Sequence, residues 1–547
     1  MDKKSISFLI LIVILGLAFR FSYLVYNPPA LNWDEISHGY NAYSILKTGM
    51  DQWGQKFPIL NFRAYGDYPT TLNLYLTIPF IAIFGLTDFA IRFPHALFGT
   101  LTIISVYFLV FGLTKKSKIS LLAAFLTAIS PWYVFTSRFV LQSNLSVFFL
   151  ITAAAFFINR ERSKYLLPLS FATFFLTLLS YHTTRIFSPL LLIGTLIIYR
   201  NELKGRVIYV LSSLFIILAG YILINPTATV RSNLLFIVDQ SAVNKIVEFR
   251  NSSKLPDNLK RIVYNRPTYF IEQFSKNYIS YFSPQFLFFK GGTQYQFSVP
   301  NTGLIYPISL PFFYIGLFLL IRRALRGNSN YLFILIWLAL SPIPASLTNE
   351  SYAVLRATTM LPIPEILIAL GFYFLLEKIP QKARLFISVI YIMIVVFSAE
   401  NYLVNYFTNY RTNYSFAWQY GYKEAVNYAN DHYGDYDKII ITKKYGEPHE
   451  FFLFFMKYDP EKYIKDPNAI RFFQSDWYWV DRFDKFYFVN DWQIKVAPLL
   501  TESRHVIDCA HSKCLLITSP DNAPPGWNRL QAINFLNGNS AFEIYAN

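Results

Sequence analysis

Two adjacent carboxylates, Asp34 and Glu35, follow the first apolar run of the chain, in the segment WDEISHGYNAYSILKTG. Burying a carboxylate beside hydrocarbon tends to raise its pKa, which makes it a stronger base. Ionisable groups at the edge of a membrane are for this reason candidates for function. The pattern therefore makes this pair a candidate for proton transfer at a membrane surface.

The same pair also fits a purely structural role. Asn32 is a good N-cap, and Glu35 stands three residues later, which is the spacing of a capping box. Acids in a first turn also suit the positive end of the helix dipole. The sequence predicts an amphipathic helix from about Trp33 to Lys47, ended by Gly49. Capping and catalysis are both open on this local evidence.

Other polar residues stand beside further apolar segments. They are Arg63 and Asp67 in FRAYGDYPTT, Arg138 and Gln142 between two apolar runs, His182 and Arg185 in SYHTTRIF, and Glu350 and Arg356 in TNESYAVLRATTMLP. Taken singly, Arg138, Arg185 and Arg356 are also explained as anchors at the membrane surface. His182 is also explained as a buried hydrogen-bonding side chain. What points to a site is the gathering of both signs of charge at one predicted membrane face.

The composition indicates the elements that must position these residues. Hydrophobic residues make up 54% of the 547 and charged residues only 15%, against about 25% charged residues in soluble domains. Apolar runs able to cross a bilayer recur over the first 400 residues. The predicted spans are 6–26, 89–113, 119–137, 140–158, 165–181, 186–199, 207–225, 303–321, 330–346, 357–376 and 385–398. Residues 72–86 are predicted as a re-entrant or interfacial piece.

Basic residues in the short loops predict the orientation of these spans. Alternate loops read KKSK, RERSK, RNELKGR, RRALRG and EKIPQKAR, whereas the loops between them are poor in Lys and Arg. This predicts a plasma-membrane protein with a cytoplasmic N-terminus and an extracytoplasmic C-terminus. The net charge is +16, yet residues 400–547 hold 15 Lys and Arg against 18 Asp and Glu. The basic excess therefore follows topology, and we expect no nucleic-acid partner.

The predicted fold class is a polytopic α-helical membrane protein of about 11 transmembrane helices with a C-terminal exterior α/β domain. We place the transmembrane domain at 1–399, with exterior loops 27–88 and 226–302, and the extracytoplasmic domain at 400–547. In the latter, DKIIIT and KFYFV look β-like, and INFLNGNSAFEIYA predicts a hairpin. Cys509 and Cys514 flank AHSK, and a disulfide and two free thiols are both open.

Three stretches together resemble the dolichyl-phosphate-mannose–protein mannosyltransferase-like glycosyltransferases. They are WDEISHGYNAYSILKTGMDQWGQKFP, YGDYPTTLNLYL and FAIRFPHALFGTLTIISVYFL. The bacterial aminoarabinose transferases of lipid A belong to the same GT-C superfamily. The resemblance is clearest over residues 1–200 and returns at SLTNESYAVLRATTMLPIP. It implies a GT-C fold, a polyprenyl-phosphate sugar as donor, and transfer to a hydroxyl of an acceptor protein, lipid or glycan.

The resemblance also implies roles for individual residues. Asp34 would be the catalytic carboxylate, with Glu35 beside it, and Arg356 would bind the donor phosphate. The other candidates for substrate binding are Arg185, His182, Tyr40, Arg138 and Asp67. No cofactor is identified, and a divalent metal ion held by Asp67 and His182 is the one candidate. Asp67 lies where related enzymes carry an acidic residue that is sometimes a metal ligand.

In this hypothesis the acid takes a proton from the attacking hydroxyl, and arginine stabilises the lipid phosphate that leaves. A single displacement would invert the anomeric configuration. One alternative is a transporter or flippase for a lipid-linked sugar, which would place ionisable residues near the bilayer midplane within repeated halves. Another is a non-catalytic scaffold or receptor. The predicted clustering of charges at one face favours the transferase, with membrane lipids as further partners.

Overall fold

The computed structural model describes residues 2–203, 205–227, 236–496 and 498–547. These residues form two compact units. The first unit consists of Met1–Ser22 and His95–Leu403, and the second of Tyr23–Pro94 and Val404–Asn547. The predicted exterior loop 226–302 includes residues 228–235, which lie outside the described residues.

The first unit is helical because its sequence consists of long apolar runs with polar breaks. Its main helices are Lys3–Phe21, Asp88–Thr114 (from His95 onward), Ser117–Ile129, Pro131–Thr136, Gln142–Ile158, Leu166–Ser180, His182–Ile198, Arg206–Ile224, Gln240–Ser252, Asp257–Val263, Arg266–Ser280, Leu310–Ala324, Ser329–Leu340, Ile343–Ser346, Ile363–Lys378 and Gln381–Asn405 (up to Leu403). Short 3-10 or π turns cover Arg160–Arg162, Gln285–Lys290, Pro307–Ser309 and Arg356–Met360. A helix overlaps every predicted span.

Six helices among the described residues are long and apolar enough to cross a membrane. They are Lys3–Phe21, Asp88–Thr114, Arg206–Ile224, Pro307–Ala324, Ser329–Ser346 and Gln381–Asn413. A helix of 19 residues is about 28 Å long, which is close to the thickness of a bilayer's hydrocarbon core. The chain is therefore a multi-pass membrane protein, as predicted, while the count of eleven spans stays a prediction.

Two buried arginines hold helix ends together in the first unit. Arg138 donates to the carbonyl oxygens of Phe19, at 2.8 Å, and Ser22, at 2.8 Å, near the end of the first helix. Arg20, on the first helix, donates to the carbonyls of Thr127 and Ala128, at 3.0 and 2.8 Å, near the end of helix Ser117–Ile129. The last carbonyls of a helix lack hydrogen-bond partners within the helix. Each guanidinium donates hydrogen bonds to such carbonyls, which surrounding hydrocarbon could not do.

The second unit contains a mixed seven-stranded sheet. Its strands are β1 Lys438–Thr442, β2 Ile470–Gln474, β3 Trp477–Phe483, β4 Phe486–Val489, β5 Cys514–Thr518, β6 Asn528–Asn534 and β7 Ser540–Ala546. Their order is β2-β3-β4-β1-β5-β7-β6, and β1 runs parallel to both β4 and β5. The central β1 is apolar and buried, as a strand covered on both faces must be. The predicted hairpin is β6–β7, and Cys509 and Cys514 form a disulfide.

Helices and turns complete the second unit. They are Trp33–Thr48, Leu72–Phe84, Tyr406–Tyr410, Arg411–Asn413, Ser415–Trp418, Tyr422–Asp431, Tyr433–Asp435, Pro448–Phe455, Pro460–Lys465 and Asp491–Ile494. The predicted helix after the first span is present, with Asn32 as its N-cap and Gly49 in the left-handed conformation as its C-cap. The segment predicted as re-entrant or interfacial is the short helix Leu72–Phe84, which contains Pro79.

Within the second unit, the predicted exterior loop packs against the C-terminal residues. The hydroxyl of Tyr40 donates to the carbonyl of Tyr458 at 2.9 Å. The ring of Tyr65 stacks on Trp477 with centroids 5.6 Å apart, and the Tyr478 N–H donates to the Tyr65 carbonyl. The loop and the residues after 404 thus belong to one compact unit, and the predicted domain division into 1–399 and 400–547 stays a prediction.

Gly446 allows a test of this packing. Its φ is +115°, and a Cβ built there would lie 1.9 Å from the indole of Trp33. We expect Gly446→Ala to lower the free energy of unfolding of the chain in detergent by about 1–3 kcal/mol, because the added methyl overpacks the site in a conformation that favours glycine. Gly434→Ala is the control, since a Cβ at Gly434 meets nothing within 4 Å. Equal losses in both variants would contradict this account.

Candidate active site

The two adjacent carboxylates have opposite environments. Asp34 is exposed, whereas Glu35 is fully buried. Both belong to the first turn of helix Trp33–Thr48, where consecutive side chains point about 100° apart. One acid is therefore open to a ligand, and its neighbour is enclosed by protein.

Glu35 has two structural roles. Its backbone N–H donates to Asn32 Oδ1 at 2.9 Å, and its Oε2 accepts from the Asn32 N–H at 3.2 Å, so the predicted capping box is present. Its two carboxylate oxygens also accept from Nε and Nη2 of Arg92, both at 2.9 Å. Both side chains of this pair are at most 1% exposed. A bidentate pair of this kind is strong and directional.

Arg92 extends this network to the segment that precedes the helix. Its Nη1 donates to the carbonyls of Leu24 and Pro28, each at 3.1 Å. Its Nη2 donates to the carbonyl of Ala30 at 2.6 Å. One buried guanidinium thus holds the chain on both sides of the helix start. Arg92 was not among the residues predicted from the sequence, although an arginine inside the apolar run FAIRFPH is a signal of a functional or structural role.

The backbone that carries Asp34 is held by two side chains. His38 Nδ1 lies 2.7 Å from the Asp34 carbonyl oxygen, and since a carbonyl only accepts, Nδ1 carries the proton. The hydroxyl of Tyr65 donates to the Trp33 carbonyl at 2.7 Å. Burial, with the nearby charges of Glu450 and Asp34, raises the pKa of Tyr65, so this donor stays neutral. The exposed carboxylate therefore stands on a fixed support, as positioned catalytic groups require.

The second unit also contains a buried polar cluster that was not predicted from the sequence. Its members are Gln52, Glu447, His449 and Glu450. Gln52 Nε2 donates to Glu450 Oε1 at 2.6 Å. The imidazole of His449 lies between two carboxylates, 3.5 Å from Glu447 and 3.6 Å from Glu450. Burial raises the pKa of Glu447. Gln52 follows the acidic helix, so this cluster joins that part of the chain to helix Pro448–Phe455. The titratable residues in the apolar stretch EPHEFFLFF were its signal.

Asp67 and Tyr40, two further predicted residues, belong to the same unit. Asp67 is half-buried, and its Oδ1 accepts from the Tyr68 N–H at 2.6 Å. Tyr40 is completely buried, with its hydroxyl bonded to a carbonyl. The nearby Arg63 is stacked on the rings of Tyr478 and Trp53. Tyr40 therefore occupies a packing position, and its predicted contact with substrate stays a prediction.

Asp67 and His182 are the two residues predicted to hold a metal ion. Among the residues that the structure describes, no group of three or more His, Cys, Asp or Glu side chains is placed to hold one. Asp67 Oδ1 accepts from a backbone N–H, and the metal site at Asp67 and His182 stays a prediction.

Arg356, in the first unit, is a partly open cation. Its Nη1 donates to Glu350 Oε2 at 2.7 Å and to Thr348 Oγ1 at 3.2 Å. The side chains of Arg356 and Glu350 are 12% and 22% exposed. The guanidinium is held in place by an acid that water also reaches. An anion arriving here would meet a pre-positioned donor fork.

The other predicted cations of the first unit are more enclosed. Arg185 is 2% exposed; its Nε donates to the Leu178 carbonyl at 3.0 Å, and its Nη1 lies 3.3 Å from His182 Nδ1. Because a guanidinium only donates, His182 accepts through Nδ1. Arg138 is buried on the carbonyls described above. These bonds give Arg185 and Arg138 structural roles, and their predicted contacts with substrate stay predictions.

Part of the chain is similar in sequence to a family of membrane glycosyltransferases. A family model of the dolichyl-phosphate-mannose-protein mannosyltransferases matches residues 70–224. Dolichyl-phosphooligosaccharide-protein glycotransferase 2 of Archaeoglobus fulgidus is 27% identical over 224 residues, which are 38% of this chain and 36% of that protein. The chain thus matches little more than a third of this relative's length.

Solved structures that are similar to this chain include ArnT from Cupriavidus metallidurans. Its apo form has a TM-score of 0.51 at 10% identity, over 100% of this chain and 98% of that one. Its form bound to undecaprenyl phosphate has a TM-score of 0.50 at 11% identity, over 99% and 97%. The archaeal oligosaccharyltransferase AglB from Archaeoglobus fulgidus, with an inhibitory peptide and a dolichol-phosphate, has a TM-score of 0.47 at 12% identity, over 83% and 63%. The chain has the fold of ArnT, and the match to the mannosyltransferase family model agrees with the resemblance drawn from its motifs.

Proposed function

We propose that the protein is a membrane glycosyltransferase that moves a sugar from a polyprenyl-phosphate donor to an acceptor hydroxyl on the outer face of the plasma membrane. The observation that carries this proposal is the exposed carboxylate of Asp34 on a backbone fixed from both sides. The GT-C fold supports it, and so does the similarity to ArnT, a protein whose structure holds undecaprenyl phosphate.

Asp34 acts as the general base in this proposal. The acceptor oxygen attacks the anomeric carbon of the donor while its proton passes to the carboxylate. The bond between that carbon and the phosphate oxygen breaks, and the lipid phosphate leaves with the electron pair. One displacement inverts the anomeric configuration. A base within hydrogen-bond reach contributes about 10²–10⁴-fold to such a step. Glu35 is not needed for proton transfer, because both of its oxygens already accept from Arg92.

Arg356 binds the donor phosphate in this proposal. A lipid phosphate is a stable leaving group, so it needs electrostatic stabilisation more than protonation. The guanidinium is already oriented by Glu350 and Thr348, which lowers the entropy lost when a phosphate binds. The acceptor hydroxyl belongs to a protein, a lipid or a glycan.

The test uses the full-length protein purified in lipid nanodiscs. It is incubated with a panel of polyprenyl-phosphate sugars and candidate acceptors, and release of the polyprenyl phosphate is followed together with inversion at the sugar. The proposal expects acceptor-dependent release of lipid phosphate. A flippase would move the intact donor between leaflets without releasing phosphate, and a scaffold would do neither. Either of these outcomes overturns the proposal.

Arg356→Lys provides a test of the phosphate contact. Lysine keeps the positive charge but lacks the planar set of N–H donors of a guanidinium. We therefore expect the KM for the donor to rise by about tenfold or more, which corresponds to the loss of one charge-assisted hydrogen bond. Steady-state rates at varied donor concentration measure it. Glu350→Gln is the matched control: the amide oxygen can still accept from Arg356 and keep it oriented, while the competing negative charge is removed, so donor affinity should not fall. A rise in KM in Glu350→Gln equal to that in Arg356→Lys would refute the assignment.

A further inference from the structure

A groove of about 610 Å³ lies among four helices of the first unit, and the proposed chemistry makes no use of it. The helices are Lys3–Phe21, Ser117–Ile129, Ile363–Lys378 and Gln381–Asn405. Three of them begin at the groove's polar end and the fourth ends there. The loops at this end include KKSK and EKIPQKAR, which the sequence predicts to be cytoplasmic. The acidic pair is predicted on the opposite side of the membrane.

The walls of the groove are apolar along its length. They include Phe8, Ile12, Leu122, Phe125, Leu376 and Ile392. On the last helix, the lining runs from Gln381 to Ile392, a rise of about 16 Å. One leaflet contributes about 15 Å to the hydrocarbon core of a bilayer. The groove therefore has the depth and the surface to accept an acyl chain from a single leaflet.

Cations mark the polar end of the groove. Lys118 and Arg384 both line it. Among the residues that the structure describes, neither Lys118 nor Arg384 forms an ion pair with a carboxylate. The one acid in the lining, Glu377, pairs with Lys116 at 2.9 Å. Arg384 donates through Nε to the Ile379 carbonyl and through Nη2 to the Glu377 carbonyl. Those two bonds orient its guanidinium and leave Nη1 for a ligand. The end of the groove carries two positive charges.

We propose that this groove is a binding site for an anionic phospholipid of the cytoplasmic leaflet, with its phosphate between Lys118 and Arg384 and an acyl chain along the apolar walls. Basic pockets between transmembrane helices on the cytoplasmic side recognise anionic headgroups in this way. Charge complementarity selects an anionic lipid over a zwitterionic one. The apolar length selects a lipid over a free phosphate. The site is independent of the transferase proposal, since it shares no residue with it.

Lipid binding to the purified, delipidated full-length protein tests this by native mass spectrometry. The probes are dioleoylphosphatidylglycerol, dioleoylphosphatidylcholine and soluble glycerol 3-phosphate. We expect the phosphatidylglycerol to bind at least tenfold more tightly than the phosphatidylcholine, and glycerol 3-phosphate not to displace it. Equal binding of the two lipids, or displacement by glycerol 3-phosphate at similar concentration, overturns the proposal.

Variants locate the site. Lys118→Glu should weaken phosphatidylglycerol binding by about tenfold or more, since it replaces an attractive contact with a repulsive one. Arg322→Glu is the matched control: Arg322 is an exposed cation in the last turn of helix Leu310–Ala324 and does not line the groove.

Leu122→Trp should weaken binding while leaving both cations in place, because the indole fills the groove. Equal effects of Lys118→Glu and Arg322→Glu, or tight binding to Leu122→Trp, would count against the site. Lys118 is exposed, so its variant should fold, and melting without lipid checks this.

Discussion

Asp34→Asn is expected to lower the rate of sugar transfer by about 10²–10⁴-fold while the protein stays folded and inserted. The amide has nearly the same shape as the carboxylate but cannot take a proton from the acceptor. Asp34 is exposed, so an amide of the same shape should leave the packing of the protein intact. The backbone contacts from His38 and Tyr65 do not involve its carboxylate. A large loss of rate with an unchanged melting temperature is the signature of a chemical role.

The measurement is single-turnover transfer at saturating donor and acceptor, which separates chemistry from binding. Glu424→Gln is the matched control, because Glu424 is an exposed acid on helix Tyr422–Asp431 of the same unit. We expect this variant to transfer sugar at the wild-type rate. A wild-type rate in Asp34→Asn would show that another group is the base. A melting temperature lowered with the rate would assign Asp34 a structural role.

Glu35→Gln is expected to have the opposite effect, with a loss of stability of about 3–5 kcal/mol. The side chain is completely buried against Arg92, and the neutral amide leaves that guanidinium without its counter-charge. Removing one partner of a buried pair is costly, because the remaining charge stays desolvated. Chemical denaturation in detergent measures the loss. A stability loss below about 1 kcal/mol, the size typical of exposed pairs, would contradict this role.

A double-mutant cycle isolates the pair. Arg92→Met alone should cost at least as much as Glu35→Gln, because it also removes the donors to the carbonyls of Leu24, Pro28 and Ala30. The double variant should be less destabilised than the sum of the two single variants, since neither charge is then left alone. Additive losses would show that the two side chains do not act together. The cycle and the Asp34 experiment give the two neighbouring acids separate roles.

Local patterns in the sequence predicted much of this molecule. The apolar runs identified helices because a bilayer requires long stretches with satisfied backbone hydrogen bonds, and a helix overlaps each predicted span. The spacing of Asn32 and Glu35 predicted the capping box, whose partners lie three residues apart. Alternating polarity and a glycine-containing turn predicted the β6–β7 hairpin. In each case the interacting groups are close in the sequence, so a short window contains the information.

The environments of the two acids were decided by tertiary structure. The local sequence does not show which of Asp34 and Glu35 is buried. Arg92, which pairs with the buried Glu35, stands 57 residues away from it. The packing of residues 23–94 with the C-terminal residues likewise rests on contacts such as Tyr40 with Tyr458, 418 residues apart. Composition and periodicity predict that a helix is amphipathic, but they do not identify the partner that covers it. That choice depends on side chains that meet only after the chain has folded.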